Sequence, residues 1–207
     1  MSFAIHTQFL QERAFRYTNQ QDEVDFLLSM GLDTKAVEEI IEFLRAKQEI
    51  DSLDMLLDKP FKPKPQLEKQ KLASRYSDGS IRVFYSALER ETAEAEVKHF
   101  TKKYLMQHPT RPRTVYFLRL ACDFYGDVKD LREKQNGWTW LTHDSDYAKC
   151  HVVAHEAVEE GLDGLLAPSA RRDSGTCLPV FKRTAISNPK SENVVSFTFD
   201  PSTNQFS

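Results

Sequence analysis

Residues 114–124, TVYFLRLACDF, are nearly continuously apolar and rich in β-branched and aromatic side chains. A strand of that kind has no face to offer to water, so it reads as a central strand covered on both sides. Arg119 interrupts it, either snorkelling at a strand edge or reaching into a pocket, and the structural reading is preferred. A chain of 207 residues that is 40% hydrophobic can bury one sizeable core around such a strand. One domain with an appendage is the economical expectation.

Two blocks put polar side chains where a packed fold would want apolar ones. The first, residues 75–96, begins with the turn cluster Ser77-Asp78-Gly79 and continues with Ile81, Val83, Tyr85 and Ala87 at alternating positions. That alternation predicts a strand. From Glu91 the period changes, and Ala93, Val97, Phe100 and Tyr104 predict the apolar stripe of a helix of roughly four turns. Glu96 falls beside this stripe. A carboxylate at the edge of a core needs a cation, donors or a ligand, and Arg75 is the partner expected for it.

The second block is GLDGLLAPSAR, residues 161–171. It follows a predicted helix that starts near Asp144-Ser145, carries Tyr147, His151, Ala154 and Val158 on one face, and stops at Gly161. Leu165-Leu166-Ala167 then reads as a short buried strand ended by Pro168, which delivers Ser169 at a strand end. Asp163 is taken as a turn residue.

Residues 1–58 read as a helical N-terminal extension. Val37, Ile40, Ile41 and Leu44 form a stripe after the N-cap candidate Asp33, and Val24, Leu27 and Leu28 suggest a shorter helix before it. Residues 59–65 carry three prolines and read as a Pro/Lys-rich linker, leaving 66–207 as the main domain. Residues 126–143, with Asn136-Gly137, Trp138 and Trp140, read as an irregular loop or short strand whose tryptophans anchor a core edge. Residues 177–181 read as a strand, Val195, Phe197 and Phe199 as an edge strand, and Pro201 onward as frayed.

No apolar run approaches a membrane span, and the N-terminus has no secretory signal pattern. Cys122, Cys150 and Cys177 are odd in number and lack CxxC spacing, which fits a reducing cytoplasm and core-filling thiols. A net charge of −3 supplies no global attraction to a polyanion, so no direct nucleic-acid partner is expected. His151 and His155 stand at i, i+4, but Val152 breaks the HExxH pattern and spacing suggests no third ligand, so no metal is expected. Ser169 is not in a GxSxG elbow and reads as a hydrogen-bonding group rather than a nucleophile.

Arg75, Tyr85 ten residues on, Glu96 eleven further, the block ETAEAEV, and then GLDGLLAPSAR followed by LPVF resemble the RES domain over residues 74–183. The resemblance implies an α+β, ADP-ribosyltransferase-like mixed α/β catalytic domain that degrades NAD+, known from bacterial RES/Xre toxin-antitoxin pairs. Carried over by position, its Arg, Tyr, Glu and Ser fall on Arg75, Tyr85, Glu96 and Ser169. NAD+ is then the substrate, cleaved through an oxocarbenium-like transition state without a metal. Glu96 would stabilise the developing charge, Arg75 would fork onto the phosphates, Tyr85 would stack on the nicotinamide, and Ser169 would hold substrate or orient Glu96. Arg171 is a candidate second phosphate contact. The acceptor stays open between water, inorganic phosphate and a protein, and a non-catalytic nucleotide-sensing or partner-binding protein is the rival reading. The protein partners implied are an Xre-type antitoxin and a second copy of the chain as a homodimer.

Overall fold

The structure is a computed structural model that describes residues 5–19, 24, 27–28, 31–46, 52–62, 73–106, 112–134 and 137–207. Residues 63–65 of the expected linker, the expected domain start at 66, and Asn136 lie outside the described residues.

The α+β class expected from the sequence is the class observed. A seven-stranded sheet runs in the order β1-β2-β5-β4-β3-β6-β7. Its strands are β1 (Thr7–Asn19), β2 (Phe84–Ala87), β3 (Arg113–Asp130), β4 (Gly164–Pro168), β5 (Thr176–Val180), β6 (Ile186–Asp200) and β7 (Gln205–Phe206). Because β1 also pairs with β3, the ladders β1-β2-β5-β4-β3 close into a ring. The helices are α1 (Thr34–Ala46), α2 (Leu53–Asp58), α3 (Arg90–Leu105) and α4 (Ala148–Glu159). No described helix is long and apolar enough to cross a membrane.

β3 is the central strand that its composition demands. It pairs with β1, β4 and β6, and its residues alternate between two cores. Leu118, Leu120, Cys122 and Phe124 enter a first cluster with Val37 and Ile41 of α1 and Leu56 and Leu57 of α2. Val115, Phe117 and Ala121 enter a second with Ala93 and Leu105 of α3. A third cluster lies under α4, built from Cys150, Val153, Ala154 and Ala157 with Tyr76, Leu165 and Ala167. On β2, Phe84 belongs to the first cluster, whereas Tyr85 packs on the third and Ala87 belongs to the second. The second and third clusters therefore share one face of the sheet, and α3 and α4 lie over it.

The start signal of α1 and the stop signal of α4 hold, whereas α4 begins at Ala148, behind Tyr147, and not at the expected Asp144-Ser145. Asp33 Oδ1 accepts from the Ala36 amide at 2.9 Å, closing the N-terminus of α1. Gly161, at φ 76°, ends α4, with the Leu162 amide bonded to the Ala157 carbonyl and the Gly161 amide to that of Val158. This is the paired capping that a left-handed glycine permits.

Several expectations are corrected. The N-terminal extension is not wholly helical: Thr7–Asn19 is a strand paired with β3 over its full length. What holds it is non-local, including Arg13 Nη1 to Asp123 Oδ1 at 2.7 Å and Gln8 Nε2 to Asp130 Oδ2 at 2.8 Å, so no short-range period announces it. Residues 126–130 continue β3 instead of opening a loop. β2 is shorter than predicted and begins at Phe84. On α3 the buried side is Thr92, Ala93, Thr101 and Leu105, while Phe100 and Tyr104 are 74% and 63% exposed. The C-terminal residues are not frayed: β7 pairs with the end of β6, and Ser207 exchanges backbone hydrogen bonds with Thr198.

Candidate active site

Three small side chains floor the site. In the β2–β5 ladder Ala87 stands opposite Cys177, and in the β4–β5 ladder Cys177 stands opposite Ala167. Directly opposed residues share a face, so Ala87, Cys177 and Ala167 form a low patch below α3. The chain enters α3 from β2 through Leu88 and Glu89. Glu89 Oε2 accepts from Thr92 Oγ1 at 2.5 Å and from the Thr176 amide at 2.9 Å, tying the start of the helix to β5. Gly175 is required beside it, because a Cβ there would lie 2.5 Å from Thr92 Oγ1.

Glu96 sits in the second turn of α3, half-buried. Ser169 Oγ donates to its Oε1 at 2.6 Å, and the Cys177 thiol approaches the same oxygen at 3.5 Å. Ser169 is itself fixed. Its amide donates to the Gly175 carbonyl at 2.8 Å, and its Oγ accepts from the Arg171 and Arg172 amides at 3.0 and 3.1 Å. The hydroxyl thus has two donors behind it and one carboxylate in front. That arrangement fixes Oε1 and leaves Oε2 as the oxygen to meet a ligand.

Arg75 approaches from a tight turn in which Ser74 and Ser77 exchange backbone hydrogen bonds. The Tyr85 hydroxyl holds that turn, bonding Ser74 Oγ at 2.6 Å and accepting from the Tyr76 amide at 3.0 Å. His151 Nε2 meets the Ser74 carbonyl at 2.8 Å, and His155 Nε2 meets Asp78 Oδ2 at 3.2 Å. Both histidines of the i, i+4 pair therefore brace this turn, as satisfied side chains. Arg75 Nη1 donates to the carbonyls of Leu141 and His143, each at 2.9 Å, and its guanidinium lies 4.7 Å from the centre of the Tyr147 ring.

Arg75 and Glu96 make no ion pair, contrary to the expectation that each would satisfy the other. Carbonyls and an aromatic face compensate the arginine, while a hydroxyl and a thiol compensate the acid. Cys177 relates the two. Burial, then the Glu96 charge and its hydrogen bond, push the thiol well up, while the charge of Arg75 acts in the opposite direction. Tyr85, two residues from Ala87 on β2, has its own hydroxyl pushed up to about 12, chiefly by burial. The structure gives that hydroxyl the turn before Arg75 to hold, where stacking on a ligand ring was expected of the side chain.

Arg171 follows Ser169, ion-paired to exposed Asp144. Burial first, then the Arg171 charge, lower His99, one turn beyond Glu96 on α3. Arg119 takes its structural reading, pairing with Glu192 at 2.7 Å. Trp138 and Trp140 stack at 5.2 Å against the third cluster, as core-edge anchors. Among the described residues no three His, Cys, Asp or Glu side chains converge into a metal-sized cluster.

Cys177, Tyr147, His99 and Asp144 were absent from the sequence-derived site. Cys177 could have been found only from the β2–β5 register. Tyr147 carried a signal, lying four residues before His151 on the α4 face that braces the Arg75 turn.

Comparison with known proteins gives a match to the family described as the RES domain over residues 45–200. No curated protein matches the chain significantly. A chain in the crystal structure of the M. tuberculosis MbcT-MbcA toxin-antitoxin complex is similar at 14% sequence identity and a TM-score of 0.47, over 96% of this chain and 90% of that one.

Proposed function

Because the chain belongs to the RES domain family, we propose that it cleaves the bond between nicotinamide and ribose in NAD+ and acts as a toxin by depleting that dinucleotide. The observation that carries this reading is the half-buried Glu96 carboxylate, held at one oxygen by Ser169 and carrying no cation partner among the described residues.

In the proposed reaction the C1′–N bond breaks and its electron pair neutralises the nicotinamide cation. Glu96 Oε2 faces the positive charge left on the ribose, where a preorganised carboxylate stabilises the transition state more than the ground state. Water or inorganic phosphate supplies the oxygen that captures C1′, and the proton it carries leaves to solvent. Arg75 grips the pyrophosphate through the nitrogens not committed to Leu141 and His143. Ser169 orients Glu96, Tyr85 positions Arg75, and Arg171 exchanges Asp144 for a second phosphate contact. An antitoxin protein is the partner such a toxin requires.

The test is purified protein with NAD+, with and without phosphate, and identification of the ribosyl product by mass. ADP-ribose identifies water as acceptor, and its 1″-phosphate identifies phosphate. Glu96→Gln should lower turnover by about 10²- to 10³-fold. A folded Glu96→Gln protein that cleaves NAD+ at the wild-type rate removes the electrostatic role. Saturable NAD+ binding to the wild type without any product would favour a nucleotide-sensing protein instead.

A further inference from the structure

Outside the cleft, the charge that stands out is Arg16. It lies on β1, beyond the residues matched by the RES family, with its guanidinium 4.8 Å from the Phe84 ring centre. Nη1 donates to the Tyr85 carbonyl at 2.8 Å. Nε has no accessible surface and no hydrogen-bond partner among the described residues. No described carboxylate pairs with it. Burial pushes this guanidinium down to about 10, so at neutral pH it is still a cation, held against a neutral carbonyl and a ring. Arg16 is half-buried, and a cation partly withdrawn from water without a counter-charge is unfavourable, the more so with a second cation nearby.

A second cation is there. Between β1 and the start of β2 lies a recess of about 140 Å³, lined by Arg16 and Arg82 with Ser74, Ser77 and Tyr85 among its other walls. Arg82 forms no ion pair or hydrogen bond with the described residues. Two guanidiniums without a carboxylate partner among the described residues line one small recess; Ser74 Oγ, by accepting from the Tyr85 hydroxyl, can keep its own O–H for a ligand, whereas the Ser77 hydroxyl is committed to the Ile81 carbonyl. Concentrated positive charge with a neutral donor beside it is what recognises a tetrahedral oxyanion. At the roughly 30 Å³ that each water occupies in the liquid, the volume accommodates the five heavy atoms of phosphate.

We propose that this recess is a binding site for a tetrahedral oxyanion of the phosphate class, either the free ion or a nucleotide monophosphate, separate from the cleft at Glu96. The site does not depend on NAD+ cleavage. It shares Ser74 and Tyr85 with the turn that carries Arg75, so it backs onto the cleft without including Glu96 or Ser169.

Titration calorimetry of the full chain with sodium phosphate at constant ionic strength, with the ³¹P line width as a second readout, tests it. Saturable binding is expected. Arg16→Gln keeps a donor for the Tyr85 carbonyl but removes the charge, and Arg82→Gln removes the facing one. Each should weaken phosphate by about 10-fold or more. Arg113→Gln, which removes an exposed cation of β3 outside both sites, should leave binding within about twofold. Replacing phosphate by AMP separates the two sources: competition that shows the same Arg16 and Arg82 dependence identifies a nucleotide monophosphate, and its absence identifies the free ion. Should Arg16→Gln fail to fold in chloride buffer, Arg82→Gln decides alone. No saturable binding, or binding lost in Arg171→Gln and retained in the Arg16 and Arg82 variants, overturns the site.

Discussion

Replacing Ser169 by alanine tests the arrangement around Glu96 without reference to any substrate. The hydroxyl makes three hydrogen bonds: one donated to Glu96 Oε1 at 2.6 Å, and two accepted from the Arg171 and Arg172 amides at 3.0 and 3.1 Å. Ser169 is 6% exposed, so water does not readily replace the lost partner. A hydrogen bond to a charged group contributes about 1.5–3 kcal/mol and each backbone partner about 0.5–1.5 kcal/mol, with incomplete additivity inside one network. The expected loss is about 2–4 kcal/mol of unfolding free energy. For a domain of this size that corresponds to a fall of about 5–15 °C in Tm. Urea unfolding of wild type, Ser169→Ala, Glu96→Gln and the double variant closes a cycle, in which the Ser169–Glu96 coupling should be at least about 1 kcal/mol. A Ser169→Ala loss below about 0.5 kcal/mol, or a coupling near zero, would falsify the claim that this hydroxyl holds the carboxylate. If NAD+ is the substrate, the same variant should lose turnover without losing NAD+ binding to a similar degree, since Ser169 acts through Glu96.

Tyr85→Phe leaves the buried Tyr76 amide without its acceptor and should cost about 1–3 kcal/mol in urea unfolding, with a wild-type value indicating that the turn before Arg75 is held by other contacts. Burial pushes the thiols of Cys122 and Cys150 up to about 12 and about 11, against about 8.5 in the unfolded chain, so the folded state binds more protons above the unfolded value. Stability is therefore fully present below about pH 8.5 and falls as pH rises toward the folded values, by about 2 kcal/mol for Cys122 at pH 10. Urea midpoints at pH 7.5 and 10 should show it, and Cys122→Ala should flatten the slope. A fragment starting at residue 45, where the family match begins, lacks β1 and should show no cooperative urea unfolding; a sharp transition with a full-size m value would show that β1 is dispensable.

What the sequence made legible follows the range of the forces involved. The Asp33 cap, the Gly161 stop and the Pro168 strand end are decided within a few residues, and each was readable. The α3 stripe was misphased because aromatic residues outweigh threonines in any apolar count. Thr92 is buried all the same, with Glu89 and Arg172 supplying its hydrogen bonds, while Phe100 is exposed. β1 escaped notice because the β3 residues that it pairs with lie 98 to 122 positions further along the chain. At the candidate site, the Glu96–Ser169 contact matches one of the two expectations for Ser169, which was to hold substrate or to orient the acid. The Arg75–Glu96 pair was misread, because opposite charges in a sequence carry no information about the carbonyls of Leu141 and His143 that reach Arg75 instead.

The seam between the second and third clusters explains why this protein buries polar groups here at all. α3 and α4 cover different parts of one sheet face, and between them the floor is Ala87, Cys177 and Ala167. Large apolar side chains at those positions would close the gap and join the two clusters into one core. Small ones leave room above the sheet for the polar side chains of Glu96 and Ser169, which must satisfy one another, since an unpaired buried donor or charge costs several kcal/mol. Glu96 with Ser169, and Arg75 with its carbonyls and Tyr147, meet that condition separately. Keeping the acid and the guanidinium apart has a further consequence: each retains unsaturated charge for a ligand, whereas a direct ion pair would neutralise both and would have to be broken before anything could bind.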